Sequence, residues 1–173
     1  PRMQMFIWTP ANPDRDSDND NGIIAHEYGH GVSNRLVGGP AVVSALQGIQ
    51  SGGMGEGWGD YLGLAFTAKP TDLPTDAYPI GTYVLNQAAT AGGIRRFPYS
   101  TNQTIDPLTY DDIDPAQNDI GCGPGSCEEV HNVGEVWASA LWDLNWLLIG
   151  KYGFNPNLYQ GTGGNNVELT LVL

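Results

Sequence analysis

The stretch Ile23-Ile24-Ala25-His26-Glu27-Tyr28-Gly29-His30 decides how this chain reads. It contains the pattern His-Glu-x-x-His. On an α-helix, positions four apart differ by about 40° in azimuth and one turn in rise. Both imidazoles therefore face one spot and can share a metal ion. Glu27 stands about 100° round from His26. From there it reaches a water on that metal without taking a ligand position, as a general base must. A helix from about residue 22 to 36 carries the pattern. Asp20 or Asn21 caps it, and Gly38-Gly39-Pro40 stops it. The bland alternative is two histidines on one helix face. It weakens because partners for the pattern follow.

A zinc hydrolase needs a third protein ligand and an open fourth position. Gly55-Glu56-Gly57-Trp58-Gly59-Asp60 supplies a ligand in Glu56, at the start of a second helix from about 54 to 68 that Pro70 ends. Asp60 lies one turn later on the same face. A carboxylate there accepts the other ring N–H of a ligand histidine, fixing its tautomer and strengthening it as a donor. A glutamate at a helix start is also favoured by the helix dipole alone. Glycine inside a helix costs ~1 kcal/mol, so Gly55, Gly57 and Gly59 point to another backbone passing close by. The third histidine, His131, precedes apolar positions 133, 136, 137, 140, 141, 144, 147 and 148. That spacing predicts an amphipathic helix over about 133–149. With Glu128 or Glu129 beside it, His131 can donate to the oxyanion of a tetrahedral intermediate. A surface histidine at a helix start is the equal alternative.

The remaining sequence bounds these readings. The chain has 173 residues, enough for one domain with a core. It carries 7 Lys+Arg against 19 Asp+Glu, a formal charge of −12. Such a balance repels phosphate backbones and argues against nucleic acid as a partner. No run reaches the ~18 apolar residues of a membrane span. Cys122 and Cys127 flank Gly-Pro-Gly-Ser. Two thiolates cannot close a zinc site. The spacer turns sharply enough for a small-loop disulfide, which fits an oxidising compartment. A reduced pair is the alternative. Asp14, Asp16, Asp18 and Asp20 alternate like the start of an EF-hand Ca2+ loop. The twelfth position would be Ala25 and the sixth is not Gly, so a solvated acidic loop before a helix competes with calcium. Asn102-Gln103-Thr104 is a glycosylation sequon. Residues 3–8 read as a buried strand and 167–173 as a final strand. Residues 69–131 read as a long irregular site loop, with one short helical stretch around 77–90. Trp137, Trp142 and Trp146 read as core or interface. Pro1 is no start and Leu173 follows no stop signal, so the chain reads as truncated at both ends.

The tract from His26 to Leu36, the Gly38-Gly39-Pro40 stop, the tract from Ser51 to Trp58 and Gly134-Glu135-Val136-Trp137-Ala138 together resemble the fungalysin family, secreted zinc endopeptidases of thermolysin-like architecture. The likeness runs from about Arg2 to the C-terminus. It implies His26, His30 and Glu56 as ligands of one Zn2+ and Glu27 as catalytic base. It implies Asp60 as the outer partner of a ligand histidine, His131 as a catalytic transition-state donor and Arg95 as a substrate contact. Tyr99 is a further donor candidate. The fold implied is α+β: a mainly helical zinc subdomain in which residues 1–173 form part of one catalytic domain. The implied partners are protein or peptide substrates, the missing N-terminal β-rich half and a propeptide. The implied place of work is extracellular. The competing reading is a non-catalytic zinc- or calcium-binding module that lacks the substrate groove.

Overall fold

The computed structural model describes residues 2–114 and 129–173. Four helices dominate: α1 (Asn21–Gly38), α2 (Ile49–Thr67), α3 (Val130–Tyr152) and α4 (Gly164–Val172). A two-stranded antiparallel sheet precedes them. In it β1 (Ile7–Trp8) pairs with β2 (Arg15–Asp16), Ile7 opposite Asp16 and Trp8 opposite Arg15. Among the described residues the fold is thus mainly helical with a small sheet.

Local chemistry sets the helix ends. The Asp20 carboxylate accepts from the backbone N–H groups of Gly22 and Ile23, which fixes the start of α1. Glu129 caps α3 by accepting from His131 N–H, so this helix begins three residues earlier than the apolar spacing predicts and runs to Tyr152. Helix α2 also begins early, at Ile49, where the Ser51 hydroxyl accepts from Gly48 N–H.

Helix α2 lies at the centre, packed against α1 on one side and α3 on the other, and α4 closes over α3. Glycine permits the close approach. A Cβ on Gly134 of α3 would stand 2.6 Å from Glu56 Cβ and 2.9 Å from Gly57 N of α2, so these two helices meet backbone to backbone. One apolar cluster gathers Ile23, Leu64, Ile80, Val84, Tyr99 and Trp142. A second joins Tyr61, Leu62, Ala65, Leu141 and Leu169. Trp142 is buried, with Tyr78 and Trp146 edge-on at 5.1 and 5.7 Å, while Trp137 meets Trp58 in the second cluster. Each fully buried aromatic of this kind contributes ~2–3 kcal/mol.

Three sequence expectations are corrected. Residues 167–173 alternate like a strand but form most of α4. Glu168 is fully buried there while Leu171 is exposed, the reverse of what the alternation implies. The Asn166 side chain, which accepts from Gly163 N–H, starts the helix, and no strand lies alongside. The buried strand over 3–8 shrinks to Ile7–Trp8, and Phe6 and Ile7 are exposed. Residues 77–90 form turns, because Gly81 and Asn86 take positive φ values of 74° and 54° that interrupt a right-handed helix. Tyr78 instead bridges Tyr99. The Cys122–Cys127 pair and Glu128 lie outside the described residues.

Candidate metal centre

His26 sits in the first half of α1, buried, with His30 one turn on and half-buried. Their rings are 4.7 Å apart and nearly perpendicular. Glu56 faces them from α2. Its Oε2 lies 3.1 Å from His26 Nε2, and its Oε1 lies 3.6 Å from His30 Nε2. Among the described residues, His26, His30 and Glu56 are the group that could hold a metal ion, with ligand atoms all within 4.8 Å of one another. A tetrahedral zinc ion with donors at ~2.1 Å spaces them by ~3.4 Å. The two separations bracket that value, and two imidazoles with one carboxylate suit zinc. The donor set fits the ion.

Asp60, one turn beyond Glu56, is fully buried and accepts from His26 Nδ1 at 2.7 Å. That bond leaves Nε2 as the nitrogen facing Glu56. Arg95 grips the same carboxylate, Nε to Oδ2 at 2.6 Å and Nη2 to Oδ1 at 2.8 Å. The Tyr99 hydroxyl donates to Oδ2 as well. Burial pushes the Asp60 carboxyl up, but Arg95 and His26 outweigh it and hold the group far below the carboxylate range. Burial lowers His26, yet its hydrogen bonds to the carboxylates of Asp60 and Glu56 overcome it and raise the imidazole to about 9. Positive charge is thus stabilised where the three donor groups converge. His30 is lowered, by burial and by the neighbouring His26. Glu56 is lowered: burial raises it, but His26, His30 and His131 prevail.

His131 enters from the start of α3, with Nε2 3.3 Å from Glu56 Oε2. Its partner is Glu129, whose carboxylate meets Nδ1 at 2.5 Å and accepts from the His131 backbone N–H at 3.1 Å. Sequence left Glu128 and Glu129 open; Glu129 makes this contact from its capping position, and Glu128 lies outside the described residues. A cavity of about 650 Å³ has His26, Glu27, Arg95 and His131 on its wall, with Met5, Trp8, Ile23 and Ile94 supplying apolar surface. Of the sequence-predicted site residues, His26, Glu27, Arg95 and His131 border this cavity, and His30, Glu56, Asp60 and Tyr99 do not.

Two placements differ from expectation. Tyr99 is buried on Asp60 and does not line the cavity. Arg95 is engaged with Asp60, although it also borders the cavity. The four alternating aspartates form no metal-holding group among the described residues. Asp16 and Asp20 instead accept from backbone N–H groups that start helical turns. Sequence reading missed the pair of Arg96 with Glu135. Adjacent charges at 95 and 96 and a glutamate one helical turn after His131 were the available signal.

The profile of the family described as Fungalysin metallopeptidase (M36) matches residues 1–173. The chain is 42% identical over 178 aligned residues to "Extracellular metalloproteinase 2" of Arthroderma gypseum. It is likewise 42% identical to "Extracellular metalloproteinase mep" of Aspergillus fumigatus, and 41% identical to "Extracellular metalloproteinase 2" of Trichophyton tonsurans. Each alignment covers 99% of this chain and 26% of the relative, so the chain spans about a quarter of the length of the curated relatives it matches. No helix among the described residues is long and apolar enough to cross a membrane. By the match along its whole length, the chain belongs to the fungalysin (M36) family of metallopeptidases.

Proposed function

We propose that this chain is the zinc-holding part of a secreted, thermolysin-like metalloendopeptidase, which hydrolyses peptide bonds in proteins. The carrying observation is the convergence of His26 Nε2, His30 Nε2 and the Glu56 carboxylate at ligand spacing, with His26 Nδ1 already held by Asp60. When bound, zinc would polarise the substrate carbonyl and make a water acidic enough to attack near neutral pH. Residues 1–173 then form part of one catalytic domain, with a β-rich N-terminal half and a propeptide supplied by the longer protein.

The side chains divide the work. His26, His30 and Glu56 hold the ion, and Asp60 fixes the His26 ring. Glu27 borders the cavity one position after His26. It takes the proton of the attacking water and returns it to the leaving amine, so no net proton is lost. His131 donates from Nε2 to the carbonyl oxygen as negative charge develops. Glu129 keeps that ring oriented through Nδ1. Arg95 spends Nε and Nη2 on Asp60. As a residue that also borders the cavity, it is the proposed contact for a substrate carbonyl.

The test is Glu27→Gln in the full-length protein, with metal content measured alongside a peptide digest. A loss of ~10²–10⁴ in kcat with one zinc per chain retained is expected for a missing general base. Hydrolysis within tenfold of wild type with zinc bound overturns the role of Glu27. Calcium without zinc in the purified wild type overturns the peptidase reading and favours an acidic interaction module.

A further inference from the structure

We infer that Arg96 and Glu135 are positioning residues that set where His131 stands relative to the metal ligands, and that the dipeptide Arg95-Arg96 couples the two halves of the site. This rests on the peptidase reading above and deepens it.

Glu135 lies four residues after His131 on α3, so the two share a helix face. Its side chain is 2% exposed and that of Arg96 is 8% exposed. Two bonds join the pair to each other, and a third ties Arg96 to the first turn of α3. The Arg96 backbone N–H donates to Glu135 Oε1 at 2.8 Å. Arg96 Nε donates to Glu135 Oε2. Arg96 Nη2 donates to the Asn132 carbonyl at 2.7 Å. Asn132 follows His131 directly, so Arg96 holds the first turn of α3 at both its carbonyl edge and its next turn. A planar guanidinium with forked donors can serve a carboxylate and a carbonyl together, and a lysine ammonium lacks that geometry.

The neighbouring Arg95 makes the opposite connection. Its guanidinium grips Asp60, and Asp60 grips His26. Adjacent residues of one loop therefore reach the ligand histidine through α2 and the donor histidine through α3. His131 itself is half exposed, and among the described residues its ring meets the carboxylates of Glu129 at Nδ1 and Glu56 at Nε2. Its distance from the zinc ligands is set by where the first turn of α3 stands, which is what Arg96 and Glu135 determine. A misplacement of ~1 Å of a group that acts only in the transition state costs ~10²-fold in rate.

The test uses the full-length enzyme and two variants. Arg96→Lys removes the forked contact and keeps the charge. The double variant Arg96→Met/Glu135→Leu replaces the buried pair by apolar groups, an exchange that buried ion pairs often tolerate in stability. Both are expected to keep one zinc per chain and to lose ~10–100-fold in kcat, with KM within about twofold. Arg96→Lys made in a His131→Ala background is expected to cost less than about twofold more, because both changes disable one donor. The inference is overturned by unchanged kcat in both variants, by loss of zinc, or by a full additional loss in the His131→Ala background. A wild-type enzyme that holds zinc and cleaves no peptide overturns the peptidase reading, and this inference with it.

Discussion

Tyr99 donates its hydroxyl to Asp60 Oδ2, while His26 Nδ1 occupies Asp60 Oδ1. The carboxylate that orients a proposed zinc ligand is thereby fixed from both ends, with Arg95 bridging the two oxygens. Partners of this kind typically influence metal affinity by ~10–100-fold. Asp60→Asn should weaken zinc binding by that factor. Tyr99→Phe should weaken it by less than about tenfold, because Arg95 and His26 still hold the carboxylate. Competition against a chelator of known affinity checks both, and equal effects from the two variants would contradict the assignment.

Gly59 faces the His26 ring, and a Cβ there would stand 2.7 Å from Nδ1 and 2.9 Å from Cγ and Cε1. The ring is pinned by Asp60 and cannot swing away. Gly59→Ala should destabilise the fold by ~1–3 kcal/mol through overpacking and should loosen zinc. Gly55 is the internal control. Its added Cβ would meet Leu46 Cδ1 at 3.3 Å, the end of a flexible side chain. Gly55→Ala should be neutral, or stabilising by up to ~1 kcal/mol from helix propensity. Thermal melts of the two variants should separate clearly.

Glu168 is buried against the Tyr61 cluster, and no described group completes a hydrogen bond of normal geometry to either of its oxygens. Burial pushes its carboxyl from 4.5 up to about 8. The folded form therefore keeps a proton that the unfolded chain releases near its ordinary value. Stability should be fullest below about pH 4.5 as far as this group is concerned, fall as pH rises, and level off above about pH 8. Glu168→Gln removes the titration. Its melting temperature should exceed that of wild type at pH 8, with the advantage shrinking toward pH 5. Parallel pH curves for the two proteins would refute this.

His131 and Glu129 should separate in their effects. His131→Ala removes the proposed donor and should lower kcat by ~10²–10³, with zinc retained. Glu129→Gln keeps an acceptor for the His131 backbone N–H and should cost about tenfold, since an amide holds Nδ1–H less strongly than a carboxylate. The same variant should also trim stability by several tenths of a kcal/mol, because Glu129 caps α3 near its positive end. Steady-state kinetics with metal content on the same samples decides.

The grouping of His26, His30 and Glu56 that could hold a metal was legible because its grammar is local. His26, Glu27 and His30 are spaced by one helical turn, and Glu56 and Asp60 repeat that spacing on the next helix. Of the three glycines read as marking close backbone approach, Gly57 does meet the Gly134 backbone, while a Cβ on Gly59 would strike the His26 ring and one on Gly55 would meet the Leu46 side chain. Long-range pairing left no such trace. Nothing near Tyr99 distinguishes a hydroxyl aimed at a substrate from one buried on Asp60, and Arg96 meets Glu135 across 39 positions. The C-terminal alternation misled because period-2 apolarity over seven residues also suits a short helix whose cap and packing decide for it. The helices and the grouping of the candidate ligands follow from periodicity, and the supporting bonds depend on tertiary placement.

The backbone contact between Gly57 and Gly134 has a mechanical consequence. Where helices touch through side chains, rotamer changes give the joint some compliance. Where Gly57 meets Gly134 there are no rotamers to change, which limits how far α2 and α3 can shift beneath the cleft. Glu56 and His131 ride on these two helices, so this contact sets the height of α3 over α2, and the Arg96–Glu135 pair sets where the first turn of α3 stands on it. Under the proposed function, adjustment to different peptides then falls to the opposite wall, where Met5 and Trp8 line the cavity in and beside a sheet of two-residue strands.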